Sequence, residues 1–324
     1  MILTYELEES IRIDRYLSSL DLELLFSRSF IEKLLKEEKI LVNSKPVKKS
    51  YLLEAGDVIE IKANKIKNSR TALPDNTLPL DIIFEDDYIA ILNKQAGVPV
   101  HPSPGKYSGT IVNALLSRYG NELPSLEDEQ RPGIVHRLDK NTSGLMLIAK
   151  DERTLSKLSR LFAKREVQKG YKAIVVGIPD PPSGTIETML GRNLKERTKM
   201  SVVSQGRQAI TEYRVAETIE AFSLLEVNLI TGRTHQIRVH LDHIGHPIFG
   251  DEVYGRNKLL SRVPQVYRKR VENYLDKQMI RQALHSYSLS FIHPITKEEL
   301  SFEIGLPEDM QNAWDWLKKL FAVD

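Results

Sequence analysis

The stretch RPGIVHRLDKNTSGLMLIAK, residues 131–150, decides how this chain is read. Pro132 and Gly133 open it as a turn. The run SGLMLIAK closes it, apolar and almost uninterrupted, as a buried strand. Between them lies a polar loop, His136 to Ser143, with Asp139 flanked by Arg137 and Lys140. Positive charge beside a carboxylate favours its ionised form. An ionised carboxylate on a loop braced by a strand can serve as a nucleophile or a base. A capped turn with surface ion pairs uses the same residue types, so the chemistry needs support from the rest of the chain.

Working outward, the segments around this stretch are rich in β-branched and aromatic residues. DIIFEDDYIAILNK (81–94), GYKAIVVG (170–177), AITEYRVAET (209–218) and FSLLEVNLI (222–230) all read as strands. Helical patterns fall at about 109–118, 151–163, 236–244 and 309–321, the last with Trp314 and Leu317 expected to pack on the sheet. Strands and helices do not alternate strictly, which predicts an α+β fold rather than a doubly wound one.

The first sixty-odd residues form a separate pattern. Ile13, Tyr16 and Leu17 share one face of a short helix, and Ile31, Leu34 and Leu35 share a face of a second. Ser27 and Ser29 offer N-cap hydroxyls to that second helix. ILVNSKPVKKSYLLEAGDVIEIK (40–62) then alternates as short strands and turns. A polar, basic, proline-interrupted segment follows and reads as a linker. The expected division is 1–64 for a small N-terminal α/β domain, 65–79 for the linker and 80–324 for the main domain. Arg28 and Lys33, beside the two serines, suit phosphate contacts at a helix N-terminus.

Composition narrows the options. The 324 residues carry 46 Lys and Arg against 44 Asp and Glu, a net charge of +2, so any affinity for nucleic acid must come from local clustering. Two such clusters exist. Lys150, Arg153, Lys157, Arg160, Lys164, Arg165, Lys169 and Lys172 form one, and Arg192, Lys195, Arg197, Lys199 and Arg207 the other. The chain has no cysteine, which removes disulfides, thiolate zinc sites and cysteine nucleophiles. The opening MILTYELEES lacks the basic start and apolar run of a secretory signal, and no window is apolar enough to span a bilayer. A cytoplasmic, monomeric protein is expected. His235, His240, His243 and His246 lie close together but match no zinc spacing, so helix termini and phosphate contacts are the expected roles and no metal is expected. GxGxxG and Walker patterns are absent, and no cofactor is expected.

The 131–150 stretch resembles the catalytic motif of the RluA-type pseudouridine synthases, in which HRLD precedes a Thr-Ser/Thr-Gly-Leu run. LNKQAGVPVHPSPG (92–105) is similar to that family's first motif, and LITGRTHQIRVHLDHIGHPIFGDEVYG (229–255) to its third. RQALHSYSLSFIHPIT (281–296) fits the family's closing strand. Residues 10–62 resemble the alpha-L RNA-binding module found in a ribosomal small-subunit protein and several RNA-modifying enzymes. Together these point to the RluD-like branch.

The resemblance implies a mixed, largely antiparallel central sheet and an isomerase acting on RNA. Ribosomal RNA is favoured, with transfer RNA as an alternative. It implies that Asp139 is the essential carboxylate, that Tyr171 lies against the target base, and that Arg238 pairs with the aspartate. Arg137 then fills the gap left by a flipped base, and Leu289 floors the pocket. His136 and Arg233 fall in the same motifs and are placed on the RNA side. The long basic segment Arg256–Lys277 is expected to help choose the target site. A non-catalytic ribosome-assembly factor on the same fold is the competing reading, and a metal-dependent RNA hydrolase rests only on the histidines. The isomerisation involves no net redox change and no donor group. Attack on C1′, attack on C6, or removal of the 2′ proton to give a glycal would each need an ionised carboxylate.

Overall fold

The computed structural model describes residues 2–7, 9–20, 28–62, 72–102, 107–120, 123–125, 131–193, 196 and 199–322, without the side chains of 28–30, 33 and 257. The N-terminal part runs β1 (Ile2–Thr4), β2 (Ile11–Arg12), α1 (Ile13–Ser19), α2 (Arg28–Lys36), β3 (Ile40–Val42), β4 (Lys45–Pro46), β5 (Leu52–Leu53) and β6 (Val58–Ile61). Its four-stranded sheet has the order β1-β6-β3-β4, and β2 pairs with β5 separately. The apolar faces read from the sequence meet here: Ile13, Leu17, Ile31, Leu34 and Leu35 bury against Ile40, Leu53 and Ile59. Ser27 lies outside the described residues, as do the side chains of Ser29, Arg28 and Lys33, although the backbone of the last three belongs to α2.

The main part continues with β7 (Ile82–Glu85), β8 (Ile89–Lys94), α3 (Ile111–Tyr119), β9 (Ser143–Ala149), α4 (Glu152–Lys164), β10 (Gln168–Val176), β11 (Ser183–Arg192), β12 (Met200–Val202), β13 (Arg207–Ile219) and β14 (Phe222–Leu229). It closes with α5 (Gln236–His243), α6 (Arg256–Arg262), α7 (Gln265–Lys277), β15 (Leu284–Ile292), β16 (Glu299–Glu303) and α8 (Glu308–Phe321). One ten-stranded sheet carries all its strands, in the order β12-β11-β13-β14-β10-β15-β9-β8-β7 with β16 beside β15. Among the described residues β9 and β15 pair in parallel, and every other strand pairing is antiparallel. The fold is α+β, as the pattern predicted.

Strand β9, the apolar run of the opening stretch, is buried at all seven positions. Its flanks explain why. Leu145, Leu147 and Ala149 pack with Leu155 and Leu158 of α4, while Met146 and Ile148 join the larger core with Leu115, Tyr171 and Trp314. Gly144 is required where β9 meets β15: at φ +115° a Cβ there would stand 2.1 Å from the Ser286 carbonyl oxygen. Trp314 and Leu317 of α8 do bury in the core, and the Trp314 indole donates to Glu217 of β13 at 3.0 Å. The segment 256–277 folds as two helices because Leu259, Val263, Val271 and Leu275 recur at helical spacing and are buried. Among the described residues no helix is long and apolar enough to cross a membrane.

Candidate active site

The loop before β9 is held from both sides, with Arg137 left exposed on it. His136 accepts the Leu147 N–H at Nε2 (2.9 Å), and its ring stacks on Phe162 of α4 at 4.9 Å. Burial, and then the charge of Lys169, pull this imidazole down to about 3, so it stays neutral and acts as a brace. Lys94, almost wholly buried at the end of β8, donates from Nζ to the carbonyls of Gln95 (2.8 Å), Val98 (3.0 Å) and Lys140 (3.0 Å). Burial, and then Arg281, pull its ammonium down to about 7, with Asp139 working in the opposite direction. From the other side Arg281 donates to the Asn141 carbonyl at 3.2 Å, and Gln282 donates to the Thr142 hydroxyl at 3.2 Å. Arg281 is itself held by both oxygens of Asp309, at 2.6 and 2.7 Å, at the start of α8.

Asp139 projects from this frame with its side chain 19% exposed. Arg238, one turn into α5, donates from Nη1 to its Oδ2 at 3.2 Å. The rest of that guanidinium faces Asp251, which accepts from Nε at 2.7 Å and from Nη2 at 2.9 Å. Burial works against the charge of Arg238, but Asp251 first and Asp139 second hold its pKa above the usual arginine value. Tyr254 lies under the guanidinium, 4.9 Å from carbon to ring centre. Its hydroxyl meets His235 Nδ1 at 2.8 Å, and His235 Nε2 comes within 3.9 Å of Asp139 Oδ2.

Tyr171 is buried in β10, opposite Ser286 of β15. Burial raises its phenol strongly, the Ser286 hydrogen bond opposes this, and the Asp139 charge raises it further. The tyrosine, the carboxylate and the arginine are thus in one electrostatic neighbourhood, as the motifs implied. Leu289 is not in it. Leu289 lies opposite Lys169, across a register shift from the Tyr171–Ser286 pair, and it packs with Leu145, Leu147 and Val167, in a different cluster from Tyr171. Arg137 is exposed on the loop. Arg233 is half-buried, and its Nε donates to the Gln208 carbonyl at 3.1 Å, tying the start of α5 to β13.

The histidines separate. His240 is fully buried between the hydroxyls of Thr188 (2.9 Å) and Thr211 (2.8 Å), and His246 turns inward to the Val176 carbonyl at 3.0 Å. These two therefore serve the core rather than phosphate. Among the described residues no three His, Cys, Asp or Glu side chains are grouped to hold a metal ion. The basic clusters also thin out: Arg153, Arg160, Lys164 and Arg165 are exposed, but Lys172 is ion-paired to Glu226 at 2.6 Å and Lys150 to Glu85 at 3.0 Å. Lys195 and Arg197 lie outside the described residues.

Lys94, Asp251, Tyr254 and Arg281 were not singled out from the sequence, although each sits inside one of the quoted motifs. A lysine ending the apolar run IAILN was the available signal for the first.

A family model described as RNA pseudouridylate synthase matches residues 88–243, and an S4 domain model matches residues 11–59. An uncharacterized RNA pseudouridine synthase of Chlorobaculum parvum is 44% identical, over 98% of this chain and 97% of its own. Ribosomal large subunit pseudouridine synthase D of Vibrio cholerae is 41% identical, over 88% of this chain and 85% of its own. Among solved structures, human RNA pseudouridylate synthase domain containing 4 superposes with a TM-score of 0.57 at 26% identity, covering 74% of this chain and 93% of that one. An S4 module joined to a mixed sheet of this kind defines an RNA-modifying enzyme. The chain belongs to the RNA pseudouridine synthase family, whose activity is the isomerisation of uridine in RNA.

Proposed function

We propose that this enzyme isomerises specific uridines of large-subunit ribosomal RNA, with Asp139 as the reacting carboxylate. It works as a cytoplasmic monomer divided into an RNA-binding domain at 1–64, a linker at 65–79 and a catalytic domain at 80–324. The observation that carries the reading is the 3.2 Å contact from Arg238 Nη1 to Asp139 Oδ2, in a loop that Lys94 and Arg281 hold at the next two carbonyls. Synthase D of Vibrio cholerae, named for the ribosomal large subunit, supports the choice of RNA.

The chemistry follows from this placement. A uridine inside folded RNA is out of reach until it is flipped, at a cost of a few kcal/mol. Arg137, exposed beside the carboxylate, takes the space the base leaves. Arg238 holds Asp139 oriented, so that it meets the sugar or ring without reorganising. Tyr171 lies along the freed uracil and limits its motion while C5 turns towards C1′. The proton leaving C5 is balanced by one gained at N1, and no other reactant is consumed. His136 supports the loop from beneath, and Arg233 anchors the start of α5 near the RNA. Exposed Arg153, Arg160, Lys164 and Arg165 supply salt-dependent phosphate affinity. Arg28 and Lys33 do the same from the N-terminal domain.

Pseudouridine mapping of total RNA from cells with and without the gene tests this. Sites lost from large-subunit ribosomal RNA are expected. Sites lost only from transfer RNA would replace the substrate, and no lost site would favour a non-catalytic assembly factor.

A further inference from the structure

Asp251 has no assigned part in the chemistry, yet its surroundings are built more tightly than those of Asp139. Its side chain is completely buried. Oδ1 accepts from the backbone of Val253 (2.9 Å) and Tyr254 (3.1 Å) and from Arg238 Nη2 (2.9 Å), while Oδ2 accepts from Arg238 Nε (2.7 Å). The preceding Gly250, at φ +76°, lets the turn press on β15's approach, where a Cβ would stand 2.1 Å from the Arg281 carbonyl oxygen. Arg281 is also the residue that holds Asn141 of the catalytic loop. The turn at 250–254 and the loop at 136–142 are therefore located against the same residue, the one at its main chain and the other at its guanidinium.

We propose that Asp251 is a positioning residue for the isomerisation, clamping Arg238 so that a single N–H remains directed at Asp139. This rests on Asp139 being the reacting carboxylate. A buried carboxylate leaves a large penalty if its partner departs, so Arg238 cannot swing out to follow a phosphate or close on Asp139 with both nitrogens. Two carboxylates share one guanidinium, and Asp251 takes the larger part of its hydrogen bonds. Asp139 is thus oriented by Arg238 through one hydrogen bond. The same turn supplies Tyr254, whose ring lies on the guanidinium and whose hydroxyl orients His235. Both groups that approach Asp139 Oδ2, Arg238 Nη1 and His235 Nε2, are in this way set by residues 251–254.

The test is single-turnover tritium release from RNA carrying C5-labelled uridine, with Asp251→Asn, Arg238→Ala, the double variant and Asp139→Asn measured together. Asp251→Asn keeps the volume and removes the charge. It is expected to lower the single-turnover rate about a hundredfold, the scale of loss that a misplacement of about 1 Å can cause. Half-saturation by RNA should stay within about threefold of the parent, and the loss should largely disappear in the Arg238→Ala background, because the effect travels through Arg238. If Asp251→Asn does not fold, Asp251→Glu, which keeps the charge and displaces it, must show the same loss of rate. A parental rate in whichever variant folds, or losses that multiply in the double variant, would overturn the clamp while Asp139→Asn stays inactive. An active Asp139→Asn would overturn the reading beneath it and the clamp together.

Discussion

Lys94 and Lys140 are joined beneath the catalytic loop: the buried ammonium of Lys94 donates to the Lys140 main-chain oxygen at 3.0 Å, immediately after Asp139. The same nitrogen serves the carbonyls of Gln95 and Val98, so one side chain locks the first-motif turn to the loop. Replacing it with methionine keeps the stem and leaves three acceptors to find new partners. Lys94→Met is expected to lose about 1–3 kcal/mol of stability, the usual cost of stranding buried polar groups. Tritium release should fall more than RNA binding. Urea unfolding and a filter-binding assay check both, and parental values in both would show that the loop is held elsewhere.

Arg281 and Asp309 form the second restraint on the loop, and their exposure ranks two variants. The Arg281 side chain is 8% exposed and that of Asp309 is 39%. Arg281→Met removes the contact to Asn141 as well as the ion pair, and is expected to cost about 2–3 kcal/mol, below the range for breaking a fully buried pair because Asp309 rehydrates. Asp309→Asn leaves the Arg281 charge on the carbonyls of Asn141, Gln282 and Leu284 and on the new amide oxygen, and should cost less, about 1–2 kcal/mol. Chemical denaturation at neutral pH decides the order, and an equal or reversed ranking would contradict it.

His240 makes stability depend on acid. Burial, and then His243, pull it down to about 4, against about 6.5 in an unfolded chain. Between those values the unfolded chain binds more protons, so stability falls as the pH is lowered through this window. The contribution from pH 7 to pH 5 is about 2 kcal/mol at most. His240→Gln should unfold more easily at pH 7 but lose less on going to pH 5. An unchanged pH slope would mean that other groups carry the acid sensitivity.

Tyr171 is predicted to act mainly through its ring. Burial keeps the phenol protonated well beyond neutral pH, with the Asp139 charge adding to the effect. The rate should show no alkaline limb from this group below about pH 9, given an ordinary tyrosine near 10 that is shifted upward. Tyr171→Phe should retain more tritium release than Tyr171→Ala. Equal losses in the two variants would assign the hydroxyl a proton-transfer role instead.

The periodic parts of this fold were legible in the sequence. The strand at 143–149, the α1 and α2 faces and the α8 core residues are written in apolar spacing, which depends on neighbours along the chain. Asp139, Tyr171 and Arg238 came from motif resemblance, and they converge. Sequence proximity pointed to Arg137 and Lys140 as the cations around Asp139, but the contact is made by Arg238, brought in by α5. Leu289 falls outside the group: it packs with Leu145, Leu147 and Val167, across a register shift from Tyr171 that no local pattern encodes. Asp251 and Lys94 were missed because a buried ion is justified only by partners that meet it in three dimensions. The basic clusters were overread for the same reason: Glu226 and Glu85 neutralise Lys172 and Lys150 from other strands.

The central claim is that Asp139 performs the chemistry. Asp139→Asn preserves size and leaves Arg238 paired with Asp251, so the fold should stand. Single-turnover tritium release from C5-labelled ribosomal RNA measures the result directly. Release at background level, with RNA affinity within about threefold of the parent, is the outcome expected. Release within about tenfold of the parental rate would contradict the account, because no route through an ionised carboxylate at this position would then be needed.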